Sequence, residues 1–159
     1  MSTATIKRGL AIAASAAALS VTGVLLGGGT AYAANVYDGT DAQVTGCAAD
    51  ATTVRETNLY SSGNVLVGKI QLRYSNKCHT GWGRILDYVN DHGTLHVQRD
   101  QDDHRVESCF SNTLLNWNSS LNAYSCYTPM LYDKGYTMRA YGTVSDNSGG
   151  MAAGGTEPY

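Results

Sequence analysis

A surplus of positive charge is the first thing missing from this sequence. After residue 33 there are nine lysines and arginines against thirteen aspartates and glutamates, a formal charge of −4, and no two of the basic residues are adjacent. Binding to a phosphate backbone draws its affinity from clustered cations, so a nucleic-acid-binding role is excluded. Aliphatic bulk is scarce too. Leu, Ile, Val and Phe account for only 21 of the 126 residues after residue 33. In a highly charged chain that proportion would mean disorder, but only 15% of the whole sequence is charged. Nothing after residue 33 resembles a membrane-spanning run, which excludes a membrane domain.

The residues that are present point outside the cell. Lys7 and Arg8 precede an uncharged stretch from Gly9 to Leu26, a glycine break at Gly27-Gly28-Gly29, and then Ala31-Tyr32-Ala33. This is the order of a signal peptide ending in a small-x-small cleavage site. Residues 1–33 are therefore expected to be removed, with release of a free chain starting near Ala34. Lys7-Arg8 is not a twin-arginine pair, and no cysteine stands at the cleavage point to carry a lipid.

Outside the cytosol, four cysteines are read first as two disulfides. Cys47, Cys78, Cys109 and Cys126 allow three connectivities. The sequential pairing closes one strand-like stretch with each bridge, and on the chain-entropy model loops of this length contribute about 3–4 kcal/mol apiece. A zinc site lacks support, because no two of the four cysteines have the Cys-x-x-Cys spacing. Ten tyrosines and two tryptophans after residue 33 supply the buried area that aliphatics do not.

Alternation is clearest over residues 65–75. Leu66, Gly68, Ile70, Leu72 and Tyr74 share one face, and Val65, Val67, Lys69, Gln71 and Arg73 the other, the period of a half-buried strand. With residues 51–57 before it and Ser61-Ser62-Gly63-Asn64 between, this predicts a hairpin. Residues 81–86 read as a short strand or a single helical turn. Residues 94–99, 105–110 and 123–127 read as further strands, and residues 112–122 as turns or a weak strand. Residues 130–132 and 136–144 flank the turn Asp133-Lys134-Gly135 as a last hairpin. The expected architecture is all-β: a small antiparallel β-sandwich or barrel stapled by two disulfides, occupying residues 34–144, with residues 145–159 as a disordered Gly-rich tail.

Several segments then resemble a known family. Tyr37-Asp38-Gly39-Thr40-Asp41, Gly46-Cys47-Ala48-Ala49-Asp50-Ala51, Gln71-Leu72-Arg73-Tyr74-Ser75, Cys78 and Trp82-Gly83-Arg84 are similar to a family of secreted and cell-surface bacterial domains of unknown function, found in actinobacteria and some bacilli. The likeness covers roughly residues 37–85. Ala42 stands where that family usually has proline, and Gly83 where it usually has alanine. The resemblance implies secretion, a Cys47–Cys78 bridge and an all-β fold; it implies no activity.

No motif assigns a reaction. His79, His92, His96 and His104 have no nucleophile context such as Gly-x-Ser-x-Gly, and solvated surface histidines are the preferred reading. Asp100, Asp102, Asp103 and Glu107 offer hard oxygen ligands and a weak possibility of calcium. Their spacing fails the EF-hand loop, which would need glycine at Arg105 and glutamate at Ser111, so no cofactor is expected. Asp38-Gly39-Thr40-Asp41 is read as a turn. Arg73, Tyr74, Trp82 and Arg84 form the motif of interest. A tryptophan between guanidinium groups can stack on a sugar, an aromatic ligand or a partner's side chain, or can pack beside a Cys47–Cys78 bridge with an arginine over its face; the packing reading is preferred. Tyr127, Tyr132, Tyr136 and Tyr141 would form a binding surface if exposed. The expected function is that of a secreted, non-catalytic binding or assembly module for an extracellular protein or glycan, with a small secreted hydrolase or protease inhibitor as the alternative. An enzyme would show convergent titratable groups in a pocket, and an inhibitor one rigid protruding loop.

Overall fold

A computed structural model of the chain describes residues 36–102, 106–109, 115–146 and 148–159. The expected signal peptide, residues 1–33, lies outside them, as do Asp103, His104 and Arg105; of Glu107 only the backbone is described.

The strands run in chain order β1 Thr52–Tyr60, β2 Leu66–Ser75, β3 Thr80–Asp87, β4 Gly93–Arg99, β5 Val106–Ser108, β6 Asn116–Asn118, β7 Ala123–Tyr127, β8 Leu131–Tyr132, β9 Met138–Ser145 and β10 Met151–Gly155, preceded by a 3-10 turn at Cys47–Asp50. They form two antiparallel sheets. One has the order β1-β2-β3-β7-β6, with β8 also on β3; the other has the order β10-β9-β4-β5. Strand β3 is the spine of the larger sheet. Along one side it pairs with β2, and along the other with β7 and then β8, the chain between these held on β3 by two hydrogen bonds, Thr128 N–H donating to Gly83 O and Gly83 N–H to Thr128 Oγ1.

The core lies between the sheets. Leu59, Val67, Ile70, Leu72, Ile85 and Leu131 from the larger sheet meet Leu95, Val97, Met138, Ala140, Val144 and Ala152 from the smaller one, all buried. The fold is thus an all-β sandwich. The two disulfides are Cys47–Cys78 and Cys109–Cys126, the sequential pairing. Cys109 follows β5 and Cys126 lies in β7, so the second bridge crosses from one sheet to the other. Strand β3 places glycine where the smaller sheet presses closest. A β-carbon at Gly81 would overlap Met138 Sδ, and one at Gly83 would lie 3.2 Å from Leu95. That leaves Trp82 and Arg84 on the opposite, outer face, because neighbouring residues of a strand point to opposite sides.

Four expectations need correction. Residues 145–159 are not a disordered tail. Asp146 caps a tight turn, its Oδ1 accepting from Ser148 N and Gly150 N, and β10 then pairs with β9 from Met151↔Ser145 to Gly155↔Tyr141. Glycine and alanine have little to bury, but their small size lets β10 lie against β1, where Gly154 sits under Leu59 and Thr57 Oγ1 donates to Gly155 O. Strands β8 and β9 do not form a hairpin: the turn at Asp133 carries the chain from one sheet to the other. Strand β2 is more than half-buried, since Gln71 and Ser75 on its outer face are covered while Lys69 and Arg73 on that face are partly exposed. Finally, a register shift between Leu59 and Tyr60 leaves Val67 as an extra residue on β2, and so Val67 is buried and Leu66 exposed, the reverse of simple alternation.

Candidate functional site

The outer face of the larger sheet carries two rows of directly opposed residues. One is Thr53, Arg73 and Trp82, on β1, β2 and β3. The other is Glu56, Gln71, Arg84 and Tyr127, on β1, β2, β3 and β7. Residues this far apart in sequence become neighbours only through the antiparallel register.

The N-terminal segment covers one end of this face. Its anchor is Asp38, whose carboxylate pairs with Arg99 and accepts Tyr132 N at 2.6 Å. Arg99 is 5% exposed and also holds Asp102, and its guanidinium stacks over Tyr136 at 4.8 Å. Burial alone would lower the Arg99 pKa; the carboxylates of Asp102 and Asp38 outweigh it and raise it. Gly39, at φ 77°, turns the chain so that its N–H donates to Met130 O, and Met130 N–H returns the bond to Thr40 O. Asp41 Oδ1 then accepts from Gln43 N and Val44 N, a turn built by a carboxylate side chain. The Cys47–Cys78 bridge fastens the far end. Asp50 adds to it by accepting from Ser75 Oγ and Lys77 N, and these bonds lower its pKa.

Beneath this segment sits a second small apolar cluster of Ala42, Cys47, Cys78, Trp82 and Met130, with Trp82 only 4% exposed. Trp82 therefore packs beside the bridge. The arginine expected over its face is not there: among the described residues the two cation–π pairs are Arg99 with Tyr136 and Arg55 with Tyr159. Tyr74, the remaining motif residue, points to the other side of β2. It is buried and packs edge-on against Tyr159, and burial, then the nearby Asp133 carboxylate, pushes its phenol up to about 12.

The uncovered remainder of the outer face is a cleft of about 510 Å³. Asp41, Gln43 and Ala48 of the N-terminal segment form one wall, Arg73, Trp82 and Arg84 the floor, and Asn116, Trp117, Asn118, Leu121, Ser125 and Tyr127 the other wall. The structure thus brings Arg73, Trp82 and Arg84 together and leaves Tyr74 out.

Among the described residues the two guanidiniums have only uncharged partners. Arg73 donates to Thr53 Oγ1 and Ala51 O, both at 2.8 Å. Arg84 donates through Nε and an Nη to Gln71 Oε1, at 2.8 and 2.6 Å, while Gln71 Nε2 donates to Glu56. The Glu56 carboxylate is itself held by Lys69 at 2.9 Å. Burial lowers the pKa of both arginines, and the charge of Arg73 lowers that of Arg84 further. Among the described residues the one carboxylate lining the cleft is Asp41, whose Oδ2 accepts from Tyr127 OH at 3.1 Å. Burial, then that bond, raises the Tyr127 pKa.

Trp117 is 54% exposed and Tyr127 38%. Trp117 stands on the edge strand β6 and is steadied by an edge-on contact with Tyr124. Sequence reasoning placed Trp117 in a turn-rich segment and gave it no role. Its only signal was a large aromatic among asparagines, where nothing nearby could bury it.

The other titratable groups lie away from the cleft. His96 Nδ1 is 2.7 Å from Ser108 Oγ and stacks on Tyr141, on the outer face of the smaller sheet. No carboxylate is hydrogen-bonded to His96 among the described residues. His92 lies 3.6 Å from Asp91 in an exposed turn. Asp100 accepts from Arg139, and Asp102 from Arg99, so these two carboxylates of the acidic loop are engaged by arginines. Among the described residues no group of three or more His, Cys, Asp or Glu is arranged to hold a metal ion. Asp87 and Asp133 are buried, each with one carboxylate oxygen that has no partner among the described residues, and desolvation raises both pKa values.

No solved structure matches the chain significantly. A protein of Bacillus subtilis (strain 168), YjfA, described as uncharacterized, is 28% identical over 105 residues, which are 62% of this chain and 64% of that protein. The model of the family described as protein of unknown function (DUF2690) matches residues 35–141, more than half of the chain, and the chain belongs to that family.

Proposed function

We propose that this protein is a secreted binding module that acts without catalysis, and that the cleft between its N-terminal segment and strand β6 takes the ligand. The observation that carries the reading is the composition of the cleft: an exposed tryptophan and tyrosine on one wall, and two guanidiniums with spare donors on the floor. Aromatic and arginine side chains dominate the energetics of recognition surfaces. General acid–base chemistry, in contrast, needs converging titratable groups. Among the described residues that line the cleft there is no histidine, and the single carboxylate is already bound to Tyr127.

Secretion is supported by the order of residues 1–33 and by two disulfides, which persist in oxidising compartments. No helix among the described residues is long and apolar enough to cross a membrane. The test is retention. Purified protein and a Trp117→Ala/Tyr127→Ala variant are incubated with culture supernatant and with envelope material of the producing cells. The wild type is expected to be retained and the variant released. Equal retention of the two would remove the cleft from the proposal.

A further inference from the structure

Arg73 and Arg84 stand in diagonal register across β2 and β3, on the floor of a cleft and close enough for Arg84 to feel the charge of Arg73. Their hydrogen-bond partners are a hydroxyl, a backbone carbonyl and an amide oxygen. A guanidinium carries five N–H donors. Each arginine spends two on these neutral acceptors, which fix its plane and leave the others for the cleft. Two like charges held together in partly buried surroundings, with no carboxylate hydrogen-bonded to either among the described residues, repel one another, and an oxyanion bound there would relieve that repulsion while engaging both forks.

The charge of the cleft limits the size of that anion. Against two arginines the described lining holds one carboxylate, Asp41, so the site carries one surplus positive charge and suits a singly charged anion. The second feature is Trp117 on the wall. More than half of its surface is open, and Tyr124 holds the ring edge-on. A steadied, exposed indole beside polar asparagines, Asn116 and Asn118, suits the flat face of a sugar ring whose hydroxyls need partners. We infer that the cleft binds an anionic saccharide, a sugar chain carrying one negative charge per unit, with its oxyanion between Arg73 and Arg84 and a ring against Trp117. This rests on the cleft being the binding site.

The inference is tested with the full-length chain, exported by an expression host and recovered from the medium. Binding is measured by titration calorimetry at low and moderate salt. The probes are an oligogalacturonate, a poly(N-acetylglucosamine 1-phosphate), neutral cellotetraose and a poly-glutamate peptide. One of the two anionic polymers is expected to bind, and which one does distinguishes a sugar carboxylate from a phosphodiester. Its affinity should fall with salt. Arg84→Gln and Trp117→Ala should each weaken it by about tenfold or more. Arg84→Lys keeps the charge but loses the fork, so it should weaken binding with the melting temperature unchanged. The inference is overturned if cellotetraose binds as well as the anionic sugars, if poly-glutamate binds more tightly than both, or if folded Arg73→Gln and Arg84→Lys variants keep full affinity. Binding of none of the probes, while cleft variants still lose retention on envelope material, overturns it as well and leaves the cleft itself standing.

Discussion

Asp133 is a carboxylic acid placed where water does not reach it. It is 6% exposed, its Oδ1 has no partner among the described residues, and desolvation raises its pKa more than the Tyr74 hydrogen bond and the His79 charge lower it. Asp87 is raised for the same reason, although Val89 N–H and Asn90 N–H both donate to its Oδ1. An acid whose pKa is higher in the folded than in the unfolded chain binds more protons when folded, so stability falls as pH rises from 3.8 through the raised value. Asp50 and Glu56 act in the opposite sense, because hydrogen bonds lower their pKa values; their contribution is present above the ordinary values and fades only in stronger acid. Between the ordinary carboxylate value of 3.8 and their own raised values, the raised groups therefore decide the trend. The melting temperature should rise on mild acidification, and Asp133→Asn, which keeps an acceptor for Tyr74, should remove its share of that rise when melting is followed by circular dichroism. A rise of equal size in the variant would show that Asp133 is not responsible.

At the scale of elements, β10 shows what small residues make possible. A stretch of Met, Ala and Gly closes the edge of β9 and lies against β1, with Ala152 in the core and Thr156 Oγ1 accepting from Ala140 N. A β-carbon at Gly154 would stand 2.7 Å from Leu59 Cδ2. Gly154→Val should thus lift β10 from β1, with a loss of roughly 1–3 kcal/mol by urea unfolding, as overpacking commonly costs. The amides of residues 151–155 should exchange faster in the variant than in the wild type; unchanged exchange would contradict this account of the contact. The same element explains what composition misses. Burial per residue is small in such a segment, but ladder hydrogen bonds and close fit do not depend on side-chain size. The alternation of residues 65–75 revealed β2 correctly, and the turn at Ser61 revealed its hairpin, because both signals are local. The extra residue at Val67 and the pairing of β8 with β3 depend on partners far along the chain and left no local trace.

The whole molecule is held by two staples of different kind. Cys109–Cys126 joins the two sheets, whereas Cys47–Cys78 ties the N-terminal segment over Trp82. Each closes a loop whose entropy loss contributes about 3–4 kcal/mol on the chain-entropy model. Replacing either pair with serine should lower the melting temperature by roughly 10–20 °C for a domain of this size. The two variants should differ in another way. Loss of the Cys47–Cys78 pair should also shift tryptophan emission to the red, as Trp82 is uncovered, and should damage the cleft, one wall of which is the tied segment. If emission stayed unchanged in a variant of lowered stability, the bridge would not be what keeps Trp82 dry.

By itself the sequence determined the strand-forming stretches, the all-β class and the arginine–tryptophan motif. The first two come from side-chain period and turn chemistry within a few residues, and the motif from the residue types in a short matched segment. The tertiary structure decided the rest. Whether Arg73 and Arg84 would be neutralised or left facing a cleft depended on antiparallel register, which set Gln71 and not a carboxylate beside Arg84. Whether Trp82 or Trp117 would be the exposed ring depended on which one the bridged N-terminal segment came to cover. Both are contacts between residues separated by tens of positions, and no local pattern encodes them.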